Sequence, residues 1–270
     1  PNARDVSPLL VRPIAGVEGS GTHFGSRDLR DGFWSTTIRP ECRHHLMVAH
    51  PSTGRLLRCT SLPFGYSRSP ELFCSVTEGV AKVFRHRAAG LGCHILCYVD
   101  DYLILGDSRE QTRVGLALLD ELLRELGLAW APHKMRGPCQ AIQFLGVLLV
   151  NTVDRQCIAL TSSRQSKLAS MVSGWLARRP EVGHATADPR ELAKLLGHLV
   201  FVSEVVPGGR TYMQAMLRQF VGLRVDWIRG TVRSVHSETS GPIALSEGFW
   251  RDLVWWSSAL RRANCSPLCT

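Results

Sequence analysis

Short apolar runs and longer amphipathic stretches alternate through the first 160 residues, and this rhythm sets the first expectations. His94-Ile-Leu-Cys-Tyr-Val99 and Tyr102-Leu-Ile-Leu-Gly106 flank two aspartates, and two β-rich runs around a tight polar turn predict a β-hairpin. Residues 44–60, centred on Pro51-Ser-Thr-Gly54, predict a second hairpin. Ile142–Val150 reads as a strand broken by Gly146. Residues 1–24 read as extended or loop, and Arg27–Ile38 as a strand end followed by a turn or short helix.

Helical spacing occupies the intervals. Ser69-Pro70-Glu71 opens a helix, with Ser69 as cap, Pro70 at its first position, and Leu72, Phe73, Val76, Val80, Val83 and Phe84 forming one apolar face ahead of Gly90 and Gly92. Ser108 and Gln111 form a capping box for a helix carrying Val114, Leu118, Leu119, Leu122 and Leu126, closed by Gly127. After Thr161 the pattern turns helical. Leu168, Met171, Val172, Trp175 and Leu176 share a face, Asp188-Pro-Arg-Glu191 caps a second helix, and Arg210–Phe220 predicts a third. Gly222–Leu245 reads as irregular and Ser246–Arg262 as a Trp-rich final helix. The expected class is α+β, an antiparallel sheet backed by helices, with boundaries dividing the chain into 1–160, 161–222 and 223–270.

Composition narrows the partners. The 270 residues carry a net charge of +9, which favours a polyanion because bound Lys and Arg release counterions. No run reaches the roughly 18 apolar residues of a membrane span. Nine cysteines, none in C-x-x-C spacing, fit reduced thiols in the cytoplasm or nucleus. Cys42 near His44, His45 and His50 matches no recognised zinc spacing. The chain starts at proline and ends in Cys-Ser-Pro-Leu-Cys-Thr, which suggests a segment of a longer polyprotein.

Cys97-Tyr98-Val99-Asp100-Asp101-Tyr102 is the most informative stretch. Adjacent carboxylates within an apolar hairpin raise each other's pKa, and a hard cation such as Mg²⁺ would offset the cost. A solvated Asp-Asp turn is the alternative. Asp28, at the end of a predicted strand, would join the pair if that strand lies beside the hairpin, making a site for two metals about 3.5–4 Å apart. Its alternative is a helix cap.

The ordered set DLRDGF from Asp28, LPFGYSRSPELF (Leu62–Phe73), YVDD (Tyr98–Asp101), LGL with Lys134, and FLGVLL (Phe144–Leu149) resembles the motifs of retroelement reverse transcriptases over residues 24–150. Phe64 in place of the retroviral Gln, with LAKLLGHLVF and Val205-Val-Pro-Gly-Gly-Arg210, is similar to the DIRS and Ngaro type; a gypsy-like element is the other expectation. The resemblance implies a right-hand polymerase palm with partial fingers up to residue 160, a helical thumb over 161–222, and a connection region from 223.

It also implies an RNA-directed DNA polymerase that uses two Mg²⁺ ions, or Mn²⁺, with RNA template, DNA primer or RNA-DNA hybrid, and deoxynucleoside triphosphates as partners. Asp28 and Asp100 would bind both metals, Asp101 would complete the site, and the Leu29 carbonyl would be a further ligand. Arg30, Asp31, Gly32 and Phe33 would lie by the incoming nucleotide, with Phe33 as a gate against the ribose 2′-OH. Pro63, Phe64 and Gly65 would shape the pocket, and Lys134 would protonate pyrophosphate. Phe144, Leu145 and Gly146 would form the primer grip, and Arg164, Lys167, Arg178 and Arg179 would track the duplex. Core packing, surface solvation or a plain strand are the ordinary roles these residues would otherwise play. The family's fingers bring basic residues for the triphosphate, for which only Arg4, Arg12 or Arg30 are at hand. An inactive relic that only binds nucleic acid is the main rival; a maturase or telomerase-like polymerase is the second.

Overall fold

Strand β1 (Ser20–Asp28) is buried along most of its length, as the inner strand of a sheet must be. It lies in the four-stranded antiparallel order β4-β5-β1-β6, with β4 (Cys93–Tyr98), β5 (Asp101–Ser108) and β6 (Arg136–Cys139). The structure, a computed structural model, describes residues 9–181, 185–234, 240–262 and 265–267. It divides into one unit of Pro1–Leu145 with Leu149–Gln156, and another of Gly146–Leu148 with Cys157–Thr270.

In the first unit two helices back the sheet. Helix α1 (Ser69–Arg87) inserts Phe73, Val80 and Phe84, and α2 (Arg109–Glu125) inserts Leu116, Leu119, Leu122 and Leu123, into one core with Ile95, Cys97, Tyr102 and Ile104. Each fully buried side chain of this size contributes about 1.5–3 kcal/mol. Gly25 lets strand and helix meet: a Cβ there would stand 2.5 Å from Leu116 Cδ1. Buried Tyr102 donates its hydroxyl to the Thr77 carbonyl at 3.2 Å. The exposed hairpin β2 (Met47–Ala49) and β3 (Leu56–Arg58) completes the elements ahead of α1, as the sequence predicts.

Two expectations for α1 need correction. Leu72, Val76 and Val83 are exposed, because residues 73, 77, 80 and 84 already complete one stripe at helical spacing and the other three lie on a second face. Ser69 is inside the helix and Arg68 is the cap residue; the Ser69 hydroxyl donates to the Pro63 carbonyl at 2.8 Å instead. The capping box at α2 is present, with Ser108 Oγ accepting from the Gln111 N–H.

The chain leaves the first unit through the short strands β7 (Ala141–Phe144) and β8 (Val147–Asn151), so Ile142–Val150 is two strands and not one. In the second unit β9 (Gln156–Leu160) leads into α3 (Ser162–Leu176), then β10 (Thr186–Ala187), α4 (Pro189–Ser203) and α5 (Gln214–Leu217). The strands β11 (Leu223–Asp226), β12 (Thr231–Ser234) and β13 (Ser240–Gly241) form an antiparallel sheet, followed by β14 (Ile243–Ala244), α6 (Glu247–Arg262) and β15 (Cys265–Pro267). Trp175 of α3 meets Phe249 of α6 at 5.9 Å, and buried Trp256 donates its indole N–H to the Tyr212 carbonyl at 3.1 Å.

The single helix expected over Arg210–Phe220 is instead two 3-10 turns around the four-residue α5. Tertiary bonds compete with the helical ladder there: Asp252 accepts the Ala215 N–H, and Trp256 takes the Tyr212 carbonyl. Gly222–Leu245 is likewise not irregular, since it holds β11 to β14.

Candidate active site

The acidic residues meet at one end of the first unit's sheet. In the β1–β5 ladder Asp28 is the register partner of Asp101, and Tyr98 is the partner of Asp101 across the β4–β5 hairpin. Val99 and Asp100 are the two turn residues. Val99 has φ 56, a conformation costing a β-branched residue about 1–2 kcal/mol. A positive φ at the first central residue alone is the pattern of a type II′ turn, where Gly is usual. The Leu29 N–H donates to the Asp100 carbonyl at 2.9 Å, and the Ala131 N–H to the Asp28 carbonyl at 2.9 Å. These backbone bonds fix the strand end against both the turn and the segment that carries Lys134.

Burial and neighbouring charges together set the chemistry. Burial, then the charges of Asp100 and Asp28, push the Asp101 carboxyl up to about 6, while Lys134 acts in the other direction. Lys134 Nζ donates to both oxygens of Asp28 at 2.9 Å, and that hydrogen bond holds its pKa above the usual lysine value. Three carboxylates therefore face one ammonium. Their oxygens, with nearby carbonyls, are the donor chemistry that hard divalent cations take, so the residues fit such ions. Among the described residues no three His, Cys, Asp or Glu side chains already form a cage, and Lys134 occupies Asp28 meanwhile.

Asp28 is aimed by its neighbour. Arg27 is almost fully buried and binds Asp120 of α2 through two bonds of 2.6 and 2.8 Å. With side chains alternating along a strand, anchoring Arg27 on α2 turns Asp28 to the opposite face. The pair was not anticipated from sequence, because β1 reads SGTHFGSRD, with Phe24 its one large apolar residue, and nothing in that pattern marks Arg27 as buried.

The expected nucleotide-side residues form a cluster of their own. Asp31 and Gly32 have φ 67 and 43 and open a 3-10 turn over Gly32–Ser35. Arg30 pairs with Asp31 at 3.1 Å on the surface. Phe33 is held between Phe64, at 5.1 Å, and Phe73, at 5.3 Å. Pro63 is buried, Phe64 is 67% exposed, and Gly65, with φ 88, has open space around it. Trp34, half exposed, joins Phe64 at 5.9 Å and was likewise not anticipated. Phe144 is buried, while Leu145 and Gly146 have φ 47 and 77. A Cβ on Gly146 would stand 2.8 Å from the Arg164 guanidinium.

Arg178 and Arg179 are paired with Glu191 and Glu247, and Arg164 lies 4.4 Å over Phe201. Burial, followed by the charges of Lys167, Arg164 and Lys194, lowers the His198 pKa, which marks a cationic neighbourhood on α3 and α4. Arg12 is exposed and Arg4 lies outside the described residues.

Known proteins share this arrangement of sequence and fold. The family described as Reverse transcriptase (RNA-dependent DNA polymerase) matches residues 6–149. Polyprotein P3 of Commelina yellow mottle virus is 27% identical over 139 residues, 52% of this chain and 7% of its own length. The Pro-Pol polyprotein of feline foamy virus is 27% identical over 208 residues, 75% of this chain and 16% of its own. The chain thus spans a small part of these relatives. Among solved structures, a foamy viral protease-reverse transcriptase in complex with double-stranded DNA superposes with TM-score 0.65 at 19% identity, covering 98% of this chain and 38% of that one. The same viral protein in complex with an RNA/DNA hybrid gives 0.64 at 19% identity, covering 97% and 29%. With more than half its length matched and its fold shared, the chain is a member of the reverse transcriptase (RNA-dependent DNA polymerase) family.

Proposed function

We propose that this chain is the polymerase portion of a retroelement protein and joins a primer 3′-hydroxyl to the α-phosphate of a deoxynucleotide opposite an RNA template. The observation that carries this reading is Asp28 and Asp101 as register partners, with Asp100 in the adjoining turn and Lys134 across both oxygens of Asp28. Two divalent ions, Mg²⁺ or Mn²⁺, would be held by Asp28, Asp100 and the Leu29 carbonyl, with Asp101 beside them. When bound they would activate the attacking hydroxyl and neutralise charge on the phosphates.

The chain's own residues supply the rest. Lys134 keeps a proton available for the departing pyrophosphate. Phe33 packs against Phe64 and Phe73, and its ring stands as a wall against a ribose 2′-OH. Gly65 leaves the backbone beside Phe64 open for template and nucleotide, with Pro63 buried behind it. Phe144, Leu145 and Gly146 hold the primer end, and residues 161–222 act as thumb, with the connection following. The LPFG motif and the Val205–Arg210 segment support a DIRS or Ngaro-type element, acting in the reducing cytoplasm or nucleus.

Extension of a DNA primer on an RNA template by the purified protein tests this. Metal-dependent incorporation that Asp100→Asn/Asp101→Asn abolishes is the expected result. Wild-type protein that binds template but incorporates nothing, even with the rest of its polyprotein attached, would leave the inactive, nucleic-acid-binding reading.

A further inference from the structure

We propose that the β11–β12 hairpin is a docking hook for a single nucleic-acid strand, with Arg224 and Arg233 on its phosphates and Trp227 stacked on a base. The nature of the polyanion rests on the polymerase reading above; the hook itself rests on the hairpin.

Arg224 and Arg233 are direct register partners, and both are exposed. Like charges opposed across a ladder destabilise it. Neither guanidinium has a carboxylate within ion-pair distance among the described residues; the hairpin's own Asp226 feels the charge of Arg233 but is bound to Arg229 and to the N–H groups of Ile228 and Arg229. A cationic pair with no ion-pair partner among the described residues, on a sheet's solvent face, has room for an anion from outside.

The tip supplies the second observation. Trp227 is 55% exposed and Ile228 92% exposed, a large apolar display beside the two arginines. The tip is nonetheless rigidly built. Asp226 caps it through two side-chain bonds and through its carbonyl, which accepts the Gly230 N–H at 2.8 Å. Arg190 at the start of α4 donates to the Ile228 carbonyl. Gly230 takes φ 69, and a Cβ there would stand 2.5 Å from the Arg190 guanidinium. A preorganised tip loses little entropy on binding. Exposed aromatic faces with flanking arginines suit stacked bases and a phosphate track, because every base offers a π-face and every nucleotide a charge.

The test is fluorescence anisotropy with the full chain and fluorescein-labelled 20-nucleotide DNA and RNA strands, without divalent ions or nucleotides, across a KCl series. Arg224→Ala/Arg233→Ala is expected to weaken binding and to flatten the plot of log affinity against log salt by about 1.4, roughly 0.7 for each phosphate that an arginine no longer neutralises. Arg224→Lys/Arg233→Lys keeps the slope. Trp227→Ala weakens binding about 5- to 150-fold and Trp227→Phe restores it; circular dichroism checks that each variant is folded. Wild-type affinity and slope in both alanine variants overturn the proposal and leave the tip to a protein partner. Binding through the hairpin by a protein that extends no primer, even with the rest of its polyprotein attached, sustains the hook and sinks the polymerase reading. Primer extension by a chain whose hairpin variants bind normally does the reverse.

Discussion

Asp101 is held ionised at neutral pH against its burial and its acidic neighbours, so the site is bought at some cost to stability. Replacing it with Asn removes the desolvated charge and the repulsion while keeping the shape. After discounting for solvent screening the gain is roughly 1 kcal/mol, so Asp101→Asn raises the melting temperature in metal-free buffer by about 2–4 °C while abolishing primer extension. A lower melting temperature would mean that the carboxylate stabilises the fold. Phe33→Val opens the wall formed with Phe64 and Phe73; preference for deoxy- over ribonucleotides, read as the ratio of their kcat/KM values, is expected to fall at least about tenfold. The carboxylate pair was legible in the sequence because two β-rich runs bracket it. Lys134 was not legible by pattern: it lies 106 residues from Asp28, and only the family motif pointed to it.

Between β1 and α2, the Arg27–Asp120 pair links strand to helix. Removing one partner strands a buried charge, at a cost of about 3 kcal/mol or more. Asp120→Ala is therefore expected to lower urea-unfolding stability by that amount and to slow incorporation, since Arg27 aims Asp28. At the start of α4, hydrogen bonds from the Arg190 side chain and then its backbone N–H bring the Asp188 carboxyl down to about 2. A depressed carboxyl adds stability above its ordinary 3.8, and this is lost as pH falls through about 2. An Asp188→Asn variant, which does not titrate, should show a flatter fall in stability between pH 4 and pH 2 than wild type. Long elements with strong signals, such as α2 with its capping box and α6, were readable from sequence. The break around α5 was not, because it comes from contacts distant in sequence: Trp256 of α6 takes the Tyr212 carbonyl and Asp252 takes the Ala215 N–H, so the turn before α5 departs from the α-helix. The four-residue strands β11 and β12 were too short for their alternation to stand out.

At the scale of the whole molecule, neither unit is one continuous stretch. Gly146–Leu148 belongs with Cys157–Thr270, so a fragment beginning at Cys157 lacks part of its own unit. A fragment beginning at Gly146 is expected to unfold cooperatively in urea, followed by the fluorescence of Trp175, Trp227, Trp250, Trp255 and Trp256, while one beginning at Cys157 shows a broader transition of smaller slope. Equal transitions would place the unit boundary after β8. The net charge of +9 adds a general attraction for polyanions that high salt removes.

The fork between Lys134 and Asp28 has a consequence best counted in populations. Only molecules in which the ammonium has swung off Asp28 offer that carboxylate to an incoming cation, so the apparent dissociation constant equals the intrinsic one divided by the open fraction. Lys134 is thus a resident competitor whose removal is felt before any chemistry. Lys134→Met should tighten divalent-ion binding in a calorimetric titration even as it slows turnover, separating occupancy of the site from its use.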